Sequence, residues 1–143
     1  MAVIDLLNIQ PTQLCKDLRG RFIMLYGQAK SGKTSMSAMW PKPLLVAFEK
    51  GYNGLVGVRP VDITSWADFK QVCRQLKKPE VKEAYETVVI DTVAIAYSLC
   101  EKYILNREGV QSIGDIGYGK GWGMLKDEFE TAFRELTQLG YAL

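Results

Sequence analysis

Short apolar runs separated by polar stretches mark the first two thirds of this 143-residue chain. RFIMLYG (21–27), LLVAFE (44–49) and TVVID (87–91) are rich in strand-forming residues, and VDIT (61–64) is compatible with a further strand. Near-continuous apolar runs are typical of strands that are covered on both faces, as in a parallel sheet. The pattern therefore predicts buried strands in a parallel arrangement.

Helical patterns occupy the segments between these runs. Residues 32–40 are compatible with a short helix that the PKP tripeptide ends. Ser65 and Asp68 match a helix-start box and open a second helix that reaches roughly Lys77. A third helix follows TVVID and extends to about Asn106. The last helix has apolar residues on one face at helical spacing, namely Leu125, Phe129, Ala132, Leu136 and Leu139.

Strands that alternate with helices predict an α/β fold with three αβα layers and a mostly parallel sheet. We expect one domain over residues 1–143, with residues 1–20 as an irregular or weakly helical N-terminal arm. The closing GYAL resembles the opening of another strand, and a parallel sheet that stopped there would be unfinished. We therefore expect these residues to be the front part of a longer natural protein.

Composition and charge narrow the function classes. A net charge of +2 does not by itself argue for nucleic acid, so any site for a polyanion must be local. The chain has no histidine, and Cys15, Cys73 and Cys100 are widely spaced, which argues against a Cys/His zinc site and favours reduced, buried thiols. With no signal peptide and no bilayer-length apolar run, we expect a cytoplasmic protein without membrane contact.

The segment GQAKSGKTS carries the strongest candidate chemistry. Gly27, Gly32, Lys33 and Thr34 match G-x-x-x-x-G-K-[ST] between a predicted strand and a predicted helix. The glycines let the backbone wrap a phosphate, Lys33 supplies charge for the β and γ phosphates, and the Thr34 hydroxyl is a ligand for Mg²⁺. The expected nucleotide-binding residues are Gly27, Gln28, Ala29, Lys30, Ser31, Gly32, Lys33, Thr34 and Ser35.

Two carboxylates at predicted strand ends complete this candidate site. Asp91 ends VVID and is a candidate magnesium-associated acid, the alternative being a cap for the following helix. Glu49 ends LLVAFE, where it can activate water, the alternative being a solvated carboxylate paired with Lys50. No asparagine is followed by lysine, which argues against a GTPase, and the scattered arginines argue against a nucleoside monophosphate kinase.

Four sequence blocks give residues 20 to 143 a resemblance to the RecA family of P-loop NTPases: GQAKSGKTS, VAFEKG, VVIDTVA and GYGKGWGMLKDEF. The chain looks most like short phage-encoded RecA-like ATPases, often labelled phage nucleotide-binding or AAA proteins, some of which act in single-strand annealing and recombination. The resemblance implies ATP and Mg²⁺ as cofactors, Glu49 as general base and Asp91 as the magnesium-associated acid. It also implies an ATPase stimulated by single-stranded DNA during phage recombination, annealing or replication.

The glycine-rich stretch 112–123 lies where the resemblance implies a mobile DNA loop. Tyr118 and Trp122 offer flat faces for bases, and Lys120 offers a charge for phosphate. The alternative is that both aromatic side chains pack under the last helix. The resemblance further implies a homo-oligomer with ATP at the subunit interface, and a single-strand-binding protein as a candidate partner.

Two functions remain open from the sequence. One is an ATPase whose hydrolysis is coupled to single-stranded DNA. The other is a nucleotide-dependent assembly module that binds ATP with little hydrolysis, because no residue of this chain can be assigned as a trans-acting Arg or Lys finger.

Overall fold

The computed structural model describes residues 6–14 and 17–143. The expected N-terminal arm is therefore described only in part, as a 3-10 turn at Leu6–Asn8 followed by exposed, irregular residues, and Cys15 lies outside the described residues. Further 3-10 turns lie at Ile113–Asp115 and Gly117–Gly119. The helices and strands are α1 (Lys33–Ala38), β1 (Pro43–Ala47), β2 (Arg59–Asp62), α2 (Trp66–Gln75), α3 (Pro79–Ala84), β3 (Thr87–Asp91), α4 (Val93–Glu108) and α5 (Lys120–Thr137).

The sheet consists of three parallel strands in the order β2-β1-β3. Ala47 at the end of β1 is in register with Asp62 of β2 and with Asp91 of β3. Two carboxylates therefore lie at one edge of the sheet, on either side of the chain that leads to Glu49.

Helices cover both faces of this sheet. Leu44, Val46 and Phe48 belong to a buried cluster that is completed by side chains of α2, α4 and α5. Because side chains alternate along a strand, the buried Leu45 and Ala47 face the other side, where α1 contacts β1 and β3. The predicted α/β fold with a parallel sheet is thus confirmed, and it is the fold of a small P-loop NTPase.

The helix starts follow the capping chemistry of the sequence. Ser65 accepts a hydrogen bond from the Asp68 backbone N–H, and the Asp68 carboxylate accepts from the Ser65 N–H, so α2 opens with the predicted capping box. Side-chain hydrogen bonds from Ser65 and then Thr64 lower the pKa of Asp68. Helix α3 was not predicted, although Pro79 at its start is a residue that favours the first helical turn.

The predicted strand over residues 21–27 is wrong as a regular strand. Ile23 N–H donates to the Leu143 carbonyl and Leu143 N–H donates to the Arg21 carbonyl, at 2.7 and 2.8 Å. Within the described part of the chain, these few hydrogen bonds to the last residues do not form a full β-ladder along residues 21–27. Ala142, which precedes Leu143, forms an isolated β-bridge with Thr87 of β3. The last residues therefore lie between β3 and residues 21–23.

Two of the cysteines are buried, so their thiols are not accessible to redox reactions at the surface. Cys73 and Cys100 are both buried and free of disulfides, as the sequence suggested. Burial raises the pKa of Cys73 to about 11 and that of Cys100 to about 12. Both thiols therefore stay protonated at neutral pH and act as small apolar core residues.

The last helix begins earlier than the glycine-rich sequence suggested. The resemblance implies a mobile loop over residues 112–123, but α5 starts at Lys120. Gly121 is buried against the preceding turn, where an added Cβ would lie 2.4 Å from the Ile113 carbonyl oxygen. Only a glycine allows this close approach, which fixes the 3-10 turns against the start of α5.

Replacing Gly121 with alanine is expected to destabilise the protein by about 1–3 kcal/mol, because the new methyl group collides with backbone rather than with a movable side chain. Gly123→Ala is the matched control, since its added Cβ meets nothing within 4 Å. In the same helix that control should stabilise by about 0.5–1 kcal/mol. Urea unfolding followed by circular dichroism measures both changes, and equal effects would contradict the close approach at Gly121.

Candidate functional site

The phosphate-loop motif leads directly into α1. Gly32 precedes the first residue of α1 with φ 86°, a left-handed conformation that glycine adopts without strain. Its carbonyl accepts the N–H of Met36 at 2.9 Å, and Ser31 N–H donates to the Gln28 carbonyl at 3.3 Å. The loop from Gly27 to Gly32 is therefore a tight turn that delivers Lys33 and Thr34 to the start of a helix.

Lys33 folds back over the loop that precedes it. Its Nζ donates to the carbonyl oxygens of Gly27 and Gln28 at 2.9 and 2.7 Å, and lies 3.4 Å from the Ser31 hydroxyl oxygen. These contacts place the ammonium group within the curve of the loop. A phosphate held by the loop would meet a positive charge at this position.

Thr34 and Asp91 meet although they are 57 residues apart in the sequence. The Thr34 hydroxyl donates to Asp91 Oδ2 at 2.6 Å, and both side chains are half-buried. Hydroxyl and carboxylate oxygens are the hard donors that Mg²⁺ prefers, so this pair fits a magnesium ion that keeps most of its water. Within residues 6–14 and 17–143, no group of three or more acidic, Cys or His side chains forms a fuller ligand set.

The alternative role of Asp91 as a helix cap is not what the structure shows. Thr92 holds the N-cap position of α4, and the Asp91 carboxylate accepts the Thr34 hydroxyl instead. Asp91 is thereby directed towards the phosphate loop and not towards the helix that follows it.

Glu49 lies at the same edge of the sheet. The N–H of its neighbour Phe48 donates to the Asp91 carbonyl at 2.7 Å, which continues the pairing of β1 and β3 past their ends. The Glu49 side chain is exposed, and the described residues include no ion pair between Glu49 and Lys50. The structure thus brings Glu49 to the edge that carries Asp91 and leaves its carboxylate open to solvent.

A cavity of about 350 Å³ adjoins the phosphate loop. Apolar side chains, including those of β3 and of residues 22–26, form most of its wall, and Lys33, Thr34 and Asp91 belong to the polar part. The candidate magnesium ligands therefore lie at the boundary between an apolar interior and an open polar loop.

One polar contact at this edge was not predicted from the sequence. Tyr52 follows Glu49 in an irregular segment, and its hydroxyl donates to Asp62 at the end of β2. The partner of this tyrosine depends on the strand order, which makes β2 the neighbour of β1.

The expected DNA-binding residues lie around the start of α5. Tyr118 adopts a left-handed backbone (φ 58°) within the 3-10 turn at Gly117–Gly119, just before α5, and its side chain is fully exposed. Lys120 and Trp122 belong to the first turn of α5, and the Trp122 side chain is 57% exposed. The alternative in which Tyr118 and Trp122 pack under the last helix is therefore wrong.

Comparison with known proteins identifies the family. Residues 19–143 match the family described as AAA domain, and the chain belongs to that family. It is 36% identical over 138 residues to the SPbeta prophage-derived uncharacterized protein YorG of Bacillus subtilis (strain 168), with 95% of this chain and 42% of that protein aligned. The chain thus spans less than half the length of this curated relative. No solved structure matches it.

Within the described ranges, none of the helices has the length and apolar character that crossing a bilayer requires.

Proposed function

We propose that this AAA-domain chain binds ATP with Mg²⁺ at the phosphate loop and hydrolyses the ATP in response to single-stranded DNA. The proposal depends above all on the contact between Thr34 and Asp91 at 2.6 Å, beside the Lys33 ammonium group. The family match supports a nucleotide-binding role, and the prophage-derived relative supports a phage origin. We assign the activity to phage recombination, annealing or replication in the cytoplasm of the bacterial host.

In the proposed binding step, Lys33 exchanges its hydrogen bonds within the phosphate loop for hydrogen bonds to the nucleotide. Lys33 turns from the carbonyls of Gly27 and Gln28 to the β and γ phosphate oxygens, which are stronger acceptors for a charged donor. Thr34 and Asp91 are the residues that would hold Mg²⁺. When bound, Mg²⁺ supplies charge neutralisation at the phosphates.

Glu49 is the proposed general base. It follows Phe48, whose backbone is tied to Asp91, so its carboxylate projects at the edge where the γ phosphate would end. There it would accept a proton from the attacking water as the bond from that water to the γ phosphorus forms and the bond from that phosphorus to the departing ADP oxygen breaks.

The start of α5 is the proposed contact with single-stranded DNA. Tyr118 is exposed and held in a backbone conformation that bulky residues rarely adopt, which supports a binding role for its ring. Trp122 offers a second half-exposed face on the following turn, and Lys120 adds a positive charge between them. Two stacking faces and one cation suit a strand of bases and phosphates.

Self-association is part of the same proposal. Five large apolar side chains are exposed on and beside the phosphate loop and α1, and such a set favours a protein interface. We propose that a second copy covers them, with ATP at the interface, and that a single-strand-binding protein is a further partner on DNA. The five side chains are Phe22, Met24, Tyr26, Met36 and Met39.

Phosphate release tests the enzyme against the assembly module. Malachite-green measurements with and without single-stranded DNA should show turnover that DNA increases. The exposed position of Glu49 favours the assembly module, because a general base that is open to solvent positions the attacking water poorly. ATP binding without phosphate release, with or without DNA, would favour the module.

The double variant Tyr118→Ala, Lys120→Ala should lose about tenfold in affinity for single-stranded DNA. A stacked base contributes about 1–3 kcal/mol, and one phosphate contact adds to that loss. Fluorescence anisotropy with a labelled oligonucleotide at fixed salt measures the change, while ATP binding should stay the same.

Lys126→Ala is the control for this double variant, since it removes the same charge from an exposed position further along α5. It should bind the oligonucleotide almost as well as the unaltered protein. Equal DNA affinity of the double variant and this control would remove the start of α5 from the DNA surface.

A further inference from the structure

We infer that the hydrogen bond from Tyr52 to Asp62 makes Tyr52 a positioning residue for Glu49. The inference rests on the proposed ATP hydrolysis and adds a residue to that site. It starts from the irregular segment of residues 49–58, which leaves the sheet at the end of β1 and returns as β2.

Two short-range backbone hydrogen bonds shape the start of this segment. Gly51 N–H donates to the Glu49 carbonyl at 3.1 Å, and Leu55 N–H donates to the Tyr52 carbonyl at 2.9 Å. These bonds curl the chain but do not attach it to the sheet. Glu49 itself is exposed, so local turns alone leave its carboxylate free to move with the segment.

The Tyr52 side chain supplies the missing attachment. Its hydroxyl donates to the Asp62 carboxylate, and Asp62 is in register with Ala47, two residues before Glu49. The Tyr52 side chain therefore connects the segment to the neighbouring strand β2. This connection closes a loop of chain that contains Glu49. The hydrogen bond with Asp62 also raises the pKa of Tyr52, so the hydroxyl keeps its proton throughout the neutral range.

A general base needs this kind of restraint. Misplacement of a catalytic group by about 1 Å can cost up to 10²-fold in rate, whereas nucleotide affinity depends on the separate phosphate loop. Loss of the Tyr52 hydroxyl should therefore lower kcat and leave KM for ATP almost unchanged.

Four variants test this inference. Tyr52→Phe and Asp62→Ala each remove the hydrogen bond and should lower kcat about tenfold, with KM for ATP within about twofold. Asp62→Asn keeps an oxygen that accepts the hydroxyl, and it should restore most of the rate. Tyr97→Phe removes a tyrosine hydroxyl from α4 as a matched control and should keep the full rate.

Combining Tyr52→Phe with Glu49→Gln distinguishes a specific effect on the position of Glu49 from a general loss of order in the protein. If Tyr52 acts through Glu49, adding Tyr52→Phe to the Glu49→Gln protein should cause no further loss. A full additional tenfold loss, or a Tyr52→Phe protein with unchanged kcat, would overturn the inference.

Hydrogen exchange distinguishes this inference from the proposed function. Amides 50–58 should exchange faster in Tyr52→Phe and Asp62→Ala and remain protected in Asp62→Asn. If the unaltered protein releases no phosphate, the proposed hydrolysis fails, and with it the role assigned to Tyr52. If it does release phosphate and only the exchange changes, the hydrogen bond holds the segment, but the positioning of Glu49 is refuted.

Discussion

Replacing Glu49 with glutamine is expected to slow ATP hydrolysis by about 10²- to 10⁴-fold, the usual contribution of general-base assistance. The amide keeps the size of the side chain but cannot accept the proton of the attacking water. Because Glu49 is not part of the phosphate loop, ATP affinity should change little. Single-turnover phosphate release, together with equilibrium binding of a fluorescent ATP analogue, measures the two quantities separately.

Glu80→Gln is the matched control for the Glu49 variant. Glu80 is an exposed carboxylate at the start of α3, so its replacement removes the same charge at a distance from the proposed base. The control should hydrolyse ATP at the original rate. If Glu49→Gln did the same, Glu49 would be a surface carboxylate and another residue or water alone would serve as base.

Replacing Lys33 with alanine should weaken ATP binding by at least one to two orders of magnitude. Charge-assisted hydrogen bonds to phosphate contribute about 1.5–3 kcal/mol, and each 1.4 kcal/mol corresponds to a factor of ten. The variant also loses the contacts that Lys33 makes with the Gly27 and Gln28 carbonyls, so the loop becomes less ordered as well. Isothermal titration calorimetry with ATP and Mg²⁺ measures the loss.

Lys102→Ala controls for the change of net charge, because Lys102 is exposed on α4. Circular dichroism must show that both variants remain folded. A folded Lys33→Ala protein that binds ATP as tightly as Lys102→Ala would refute the assignment of residues 27–35 as a phosphate site.

The sequence predicted most elements of the sheet because most of their apolar runs, although short, are nearly continuous. TVVID coincides with β3 at both ends, and LLVAFE and VDIT each overlap a strand. The residues around Lys33 could be named because they match the phosphate-loop motif, and Asp91 could be named because it ends a predicted strand. The contact between Thr34 and Asp91 joins that strand end to the start of α1.

Features that depend on tertiary neighbours escaped prediction. Residues 21–27 have the composition of a strand, but a strand is defined by its ladder of hydrogen bonds. In the described chain, Arg21 and Ile23 pair with Leu143 through only two backbone hydrogen bonds. The buried packing of Gly121 extended α5 into a stretch that composition favours as a loop. The hydrogen bond from Tyr52 to Asp62 required knowledge of which strands are neighbours.

The contact between Thr34 and Asp91 also links ligand binding to the folding equilibrium. Its two oxygens come from segments 57 residues apart, so the pair exists only after β3 has docked beside β1 and α1. An unfolded chain offers ATP and Mg²⁺ no such pair of donors. A ligand that binds only the native state shifts the equilibrium towards it by mass action. If the proposed site binds ATP and Mg²⁺, raising their concentration will shift the protein further towards its folded state.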